Sequence, residues 1–352
     1  MTTNGKKAND AVILSGARTP IGKFMGALAG VAAPRLGATA IQAALERAQV
    51  DPAQIDEVIM GQVVAAGSGQ SPARQAGLHA GVPAEVGAFS VNKACGSGLR
   101  AVMLAAQAIR AGDAQLMVAG GMESMSSAPY LLPKARQGLR FGHQTMLDSV
   151  VQDGLWCSLE EWMMGDAAEW IANEYEVTRE AMDRFSLESH QKALAAADAG
   201  KFQAEIVPVA VANGKSTRLV DTDEGPRRDT SLEVLAKLKP AFQKEGRVTA
   251  GNAPGLNDGA AALVVAARAK AEALGQAPLA RIVGYTSAAV EPKALFIAPA
   301  RAIPKLLQQV GWTLADVDLI ELNEAFAAQV LADGYALAEQ GWDWSKVNVH
   351  GG

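Results

Sequence analysis

Cysteine is almost absent from this chain of 352 residues: Cys95 and Cys157 are all it has. Two cysteines rule out a disulfide framework and a cysteine-built metal cluster. The four histidines, His79, His143, His190 and His350, are scattered without metal-ligand spacing, so no metal is expected. Aromatic residues are also scarce, at 5%, and neither sign of charge dominates. The 32 Lys and Arg against 37 Asp and Glu leave a net charge of −5 with no basic face, which argues against a nucleic-acid partner. No uncharged apolar run approaches the ~20 residues of a membrane helix. The opening segment, Met1 to Asp10, is short and polar and leads directly into Ala11–Ser15. It lacks the long apolar region and cleavage site of a secretory signal, so a cytoplasmic protein is expected.

What is present is apolar and small. Apolar residues make up 49%, with 35 glycines and 15 prolines, a composition suited to an Ala/Gly-rich α/β enzyme. The length exceeds the roughly 100–200 residues of one domain, which predicts two packed units or one unit with a large insertion. Strand-like runs alternate with helix-period segments. Ala11–Ser15, Glu57–Val64, Phe89–Asn92 and Gln115–Ala119 read as strands; Pro34–Val50, Gln75–Ala80 and Ser97–Ala111 read as helices. From Gly120 to Arg247 the rhythm changes, as in an insertion. It resumes with strands at Ala260–Ala266, Ala280–Tyr285, Val317–Leu322 and Val347–Val349, and helices at Ala300–Val310 and Ala325–Ala338.

A weak internal repeat is visible. Ile55-Asp56-Glu57-Val58-Ile59-Met60-Gly61 follows the first long helix much as Val317-Asp318-Leu319-Ile320-Glu321-Leu322-Asn323 follows the helix ending at Val310. Ser90-Val91-Asn92 likewise resembles Lys346-Val347-Asn348. The match suggests two copies of one topology, although matches this short also arise by chance.

The strongest local signal is Asn92-Lys93-Ala94-Cys95-Gly96-Ser97-Gly98-Leu99-Arg100, between a strand and a long helix. Glycines and a serine permit a sharp turn, and N–H groups at a helix start favour a thiolate. A thiolate there can attack a thioester carbonyl, with a backbone N–H holding the oxyanion. Taken alone, Cys95 also fits a buried small residue at a tight turn.

Asn92 to Arg100 closely resembles the nucleophile motif of the thiolases, the acyl-CoA C-acyltransferases. Four further stretches are similar to signatures of that family, in order: Ser15–Gly22, Gly120–Ser126, Thr249–Ala261 and Asn323–Ala327. The resemblance implies an α/β fold of two similar βαβαβαββ halves with an inserted loop domain. Residues 1–119 and 248–270 would form the N-terminal half with the nucleophile, 120–247 the CoA-binding loop domain, and 271–352 an incomplete C-terminal half.

The resemblance makes Cys95 the acyl-enzyme nucleophile and Asn323 the holder of a water at one oxyanion. Glu324 and Asn257-Asp258 would fix loops near the site. Arg227 would meet the nucleotide part of CoA. Leu155, Met163, Leu235, Leu238 and Phe242 would line the adenine and pantetheine channel, with Ala250, Pro254, Ala325 and Phe326 closer to the thioester. Each apolar member of this set is equally compatible with ordinary core. Pro254 stands where many members have a serine, which removes a hydroxyl contact to pantetheine. Met163 stands where acetoacetyl-specific members often carry histidine, which weighs against a narrow acetoacetyl specificity.

The implied activity is acyl-CoA C-acyltransfer in fatty-acid metabolism, as acetyl-CoA acetyltransfer or 3-ketoacyl-CoA thiolysis through a Cys95 thioester. The expected partners are acyl-CoA and CoA, with coenzyme A as substrate, no other cofactor, and a homodimer or homotetramer. Family members continue past Val347–Gly352 into a Gly-His-Pro segment, whose histidine activates the nucleophile, and a Cys-x-Gly segment, whose cysteine shuttles a proton. The sequence stops before both, so a C-terminally truncated chain with impaired activity is expected, and neither His350 nor Cys157 is placed to substitute. A non-catalytic CoA-binding relic and a condensing enzyme that uses acyl carrier protein are the alternatives.

Overall fold

A computed structural model describes residues 8–352, which group into two compact units. The first comprises residues 8–154, 204–225 and 256–283, the second 155–203, 226–255 and 284–352.

The first unit is built on a seven-stranded mixed sheet. Its main strands are β1 (Ala11–Arg18), β2 (Glu57–Gly61), β3 (Gly87–Val91), β4 (Leu116–Ser124) and β5 (Asn257–Ala267). They lie side by side in the order β1-β5-β4-β2-β3, with Ala280–Arg281 outside β1 and Gly22–Lys23 pairing with β5. β2 pairs in parallel with both β3 and β4, while β5 runs antiparallel to β1 and β4. The parallel pairs follow from the crossovers, because each carries a helix: α2 (Pro72–His79) joins β2 to β3, and α3 (Ser97–Ala111) joins β3 to β4.

The longer α1 (Ala33–Ala48) opens with Pro34, whose missing N–H costs nothing in a first turn, and ends on Gln49 in the left-handed region. Leu36, Ile41 and Leu45 on its inner stripe share a core with Val58, Met60, Val118 and Val264 of the sheet. Strand alternation turns Ile59, Met117, Ala119 and Val265 to the other face, where they are buried outside that core. α3 lies against β4 and β2 and stops at Gly112, whose φ of 88° suits a glycine C-cap.

The second unit is mainly helical: α4 (Met164–Glu174), α5 (Arg179–Asp198), α6 (Ala298–Val310) and α7 (Ala327–Ala336). Its core gathers Ile171, Met182, Val248, Phe296, Phe326, Leu331, Leu337 and Trp342. Glu169 of α4 is buried yet accepts from the backbone N–H groups of Arg247 and Val248, so a neighbouring loop satisfies its oxygens.

The expected alternation of strands and helices is present, with one shortfall. Ala280–Tyr285 pairs only at Ala280–Arg281, and Val317–Leu322 meets Val347–Val349 through a single parallel bridge, Ile320 to Val347. A strand is defined by its ladder, and here the ladder ends after two bonds. Ile320 N–H donates to Lys346 O and Asn348 N–H to Ile320 O, both at 2.9 Å, before Asn348 turns to a φ of 44°.

Candidate active site

Cys95 sits in the first unit, between β3 and α3, and is exposed. The turn is set by local hydrogen bonds. Asn92 Oδ1 accepts from Ala94 N–H at 3.0 Å, and Ser97 Oγ accepts from Lys93 N–H at 2.8 Å while donating to Ala94 O at 2.6 Å. Gly96 N–H closes onto Lys93 O and Ser97 N–H onto Ala94 O. Ala94, with φ of 46°, takes the left-handed conformation that a residue with a Cβ rarely adopts, immediately before the cysteine. A helix start leaves N–H groups without intrahelical partners and a partial positive charge; here it begins two residues after Cys95.

Glycines let that helix start come down onto the sheet. A Cβ on Gly61 of β2 would lie 2.5 Å from Gly98 N and 2.8 Å from Ser97 Cβ, and one on Gly121 of β4 would lie 3.2 Å from Gly98 Cα. The sequence motif thus has a second half in the strands: Gly98 in the helix opposes Gly61 and Gly121 in the sheet.

The other residues of the expected site all belong to the second unit. Leu155 precedes Trp156, which pairs with the half-buried Met163 in a two-residue hairpin. Phe242 packs over Gly165 in the first turn of α4 and meets Phe326 edge to face at 6.3 Å. Leu235 and Leu238 close over Gly251, next to the exposed Ala250. Phe326 is buried at the start of α7, and Ala327 N–H donates to Asn252 O. Phe242 and Phe326 thus meet directly, and Leu235, Leu238 and Ala250 gather around Gly251; Pro254 and Arg227 are exposed.

Arg227 has its own setting. Its backbone N–H donates to His190 Nδ1 at 3.3 Å and its Nε points to Asp229 at 3.5 Å. Burial, followed by the Arg227 charge, holds His190 below the usual imidazole value, against the opposing pull of Glu324 and Asp229. A neutral ring accepting at Nδ1 carries its proton on Nε2.

Asn323 is exposed, on the segment after Ile320. Its neighbours on that segment are pinned. Asn348 Oδ1 accepts from Leu322 N–H and Asn348 Nδ2 donates to both Leu322 O and Glu324 Oε1, each at 2.8 Å; Ser189 Oγ donates to Glu324 Oε2 at 2.6 Å. In the first unit, Asp258 Oδ1 accepts from Ser126 N–H and Asn257 Nδ2 donates to Gly22 O. Asn257 and Asp258 thus bind backbone groups, whereas Glu324 accepts from two side chains, Asn348 Nδ2 and Ser189 Oγ.

Family comparisons match both parts of the chain. The model described as "Thiolase, N-terminal domain" matches residues 11–269, and "Thiolase, C-terminal domain" matches residues 276–352. The chain belongs to the thiolase family. Acetyl-CoA acetyltransferases of Pseudomonas aeruginosa and Cupriavidus necator are each 54% identical to this thiolase over 344 residues, covering 97% of it and 87% of the relative. Crystallised acetyl-CoA acetyltransferase from Bacillus anthracis superposes with a TM-score of 0.95 at 44% identity, covering 99% of this chain and 87% of that one. The acetyl-CoA acetyltransferase structure from Syntrophomonas wolfei gives the same score at 45% identity. The fold is therefore the thiolase α/β fold, and as a thiolase the chain is an acyltransferase acting on acyl-CoA and CoA. Among the described residues no helix is long and apolar enough to cross a membrane.

Sequence reasoning passed over Asn92, Ser97 and Asn348 as functional residues of this thiolase, although all three hold the expected site segments in place. The repeat pairing Val91-Asn92 with Val347-Asn348 was the signal that pointed to two of them. For Ser97 the signal was its place in the turn, where a small hydroxyl reaches two backbone groups at once.

Proposed function

We propose that this chain is an acetyl-CoA C-acetyltransferase that carries the acetyl group as a thioester on Cys95. The observation that carries the reading is the exposed thiol in a fixed turn at the foot of α3, in a chain half identical to enzymes named for that reaction. In the first half-reaction the Cys95 thiolate attacks the acetyl-CoA carbonyl carbon; the tetrahedral oxyanion collapses, the bond to the CoA sulfur breaks, and CoA leaves with the proton that Cys95 gave up. In the second, the α-carbon of another acetyl-CoA gives up a proton and attacks acetyl-Cys95, the thioester bond to the Cys95 sulfur breaks, acetoacetyl-CoA leaves, and the freed Cys95 thiolate takes up that proton. Thiolysis is the same path reversed.

Backbone N–H groups of the turn suit one oxyanion, and a water on Asn323 suits the other. Arg227 supplies charge for the CoA nucleotide, while Leu155, Met163, Leu235, Leu238, Phe242, Ala250, Pro254, Ala325 and Phe326 supply an apolar path for pantetheine. The route uses no metal or redox cofactor. A homodimer or homotetramer and a cytoplasmic location belong to the same proposal, since an exposed nucleophilic thiol suits a reducing compartment.

The test is direct. Acetyl-CoA is added, the reaction is quenched in acid, and the Cys95 peptide is weighed. An acetyl adduct on Cys95 is expected, and Cys95→Ser should slow its formation by roughly 10⁴-fold or more. CoA binding without any acetyl adduct overturns the reading.

A further inference from the structure

The backbone ladders around the Cys95 turn end one step too early to hold it, and two side chains continue them. β2 pairs with β4 as far as Gly61 opposite Gly121, and with β3 as far as Gly61 opposite Val91. Two residues further along each strand, Glu123 of β4 reaches back to β2's extension: its Oε2 accepts from Val63 N–H at 2.8 Å and Val64 N–H at 3.2 Å. From the other side, Asn92 Nδ2 donates to Val63 O at 3.3 Å. The Val63 residue is thus gripped through its N–H by Glu123 and through its carbonyl by Asn92. The free end of the same Asn92 amide, Oδ1, accepts from Ala94 N–H at 3.0 Å.

We propose that Asn92 is the positioning residue of the Cys95 nucleophile, and that Glu123 anchors it through the Val63 backbone. One planar amide ties Val63, two residues past the end of β2, to the strained Ala94, which a φ of 46° would otherwise leave free to relax. The direction of the next residue, Cys95, follows from that conformation. Lost alignment, rather than lost thiol reactivity, is what its removal should cause.

The same device recurs in the second unit, in the same register. Val347 is bridged to Ile320, and the next residue, Asn348, binds the backbone of Leu322, two beyond Ile320. Val91 is paired with Gly61, and the next residue, Asn92, binds Val63, two beyond Gly61.

Glu123 Oε1 and Gln62 Oε1 are both buried without a hydrogen-bond partner. Burial, with a smaller push from the Asp258 charge, raises the Glu123 carboxyl above the ordinary range, against the Val63 and Val64 N–H groups and the Gln62 side chain.

The proposal rests on Cys95 as the acetylated residue, and its test separates the two. The rate of acetyl-Cys95 formation from acetyl-CoA is measured beside the rate of Cys95 alkylation by iodoacetamide, a small reagent that needs only an accessible thiolate. Asn92→Ala is expected to slow acetylation by about 10²-fold, with the half-saturating acetyl-CoA concentration and the alkylation rate each moving less than about threefold. Glu123→Ala should act in the same direction. Glu123→Gln keeps an acceptor for Val63 and Val64, so it should stay within about threefold of the parent. Asn92→Asp keeps the acceptor for Ala94 and serves if Asn92→Ala does not fold; it should lose acetylation selectively, by about tenfold. Acetylation unchanged in the Asn92 variants, or acetylation and alkylation falling together, overturns the proposal. An unsubstituted chain that is alkylated but never acetylated removes the proposed function first, and this proposal with it.

Discussion

The two units fasten their reactive segments by different means. Around Cys95, β2 is paired along both edges, helix α3 rests on Gly61 and Gly121, and side chains add only the last links at Val63 and Ala94. Around Asn323, a single bridge at Ile320 is the whole ladder, and the segment is held by Asn348, Glu324 and Ser189. The helices that follow differ in the same way. α3 buries Ala101, Met103, Ala105, Ala106 and Ile109 with Ser97 at its start, whereas α7 buries Gln329 and Asp333 among its apolar residues. The first arrangement depends on what backbone can approach backbone, the second on polar side chains finding partners. The contrast makes the first unit vulnerable to added atoms and the second to removed ones.

The largest effect is expected where an atom is added to the sheet. A Cβ on Gly120 would overlap Ala261 O and Ala262 Cα of β5, the central neighbour of β4. Every atom it would meet is backbone, which leaves no flexible end to move. Gly120→Val should cost more than about 4 kcal/mol, or prevent folding outright. Gly30, around which a Cβ would meet nothing within 4 Å, is the control, and Gly30→Ala should change stability by less than about 0.5 kcal/mol. Urea denaturation checks both, and a Gly120→Val protein as stable as Gly30→Ala would refute the account of the sheet.

Asp333 tests the polar interior of the second unit. Its carboxyl is fully buried, accepts from Ala300 N–H and Gln329 Nε2, and is pushed up by burial to about 7 from 3.8, those two hydrogen bonds opposing. The folded chain therefore holds a proton that the unfolded chain has released, over the window between those values. Stability from this group is full below pH ~4 and is lost as pH rises toward ~7, by at most about 4 kcal/mol. Asp333→Asn should flatten the slope and match or exceed the parent above pH 7. Urea midpoints measured from pH 4 to 8 decide it, and parallel curves for the two proteins would show that Asp333 is not the source.

The contrast also explains what the sequence made legible. Elements sustained by period and by local caps were readable: α1 and α3 lie within about two residues of their expected bounds because apolar spacing, Pro34 and Gly112 mark them. The nucleophile turn was readable because glycine, serine and cysteine at a strand–helix junction have few other uses. Strands at Val317–Leu322 and Val347–Val349 were not correctly read, because their β-rich composition states a preference while a strand requires a partner's ladder. The positioning contacts of Glu123 and Asn92 leave no mark in the sequence, because they depend on two parallel strands ending in the same register, which no short motif displays. Asn348 was half visible, since the repeat placed it opposite Asn92 without showing what either bound.

Asn348 offers the smallest and most discriminating break. It is buried, holds a φ of 44°, and makes three side-chain hydrogen bonds across to Leu322 and Glu324. Two contributions are separable by substitution. Asn348→Ala loses the bonds and keeps a Cβ in a left-handed conformation that Asn tolerates better than Ala, so about 2–3 kcal/mol should be lost. Asn348→Gly loses the same bonds but removes the backbone strain, so its loss should be smaller by about 1 kcal/mol. If side chains rather than backbone hold this segment, both variants should be destabilised and glycine should recover only the smaller part. Glycine as stable as the parent would mean that the turn alone had mattered, and the distinction between the two units would fall with it.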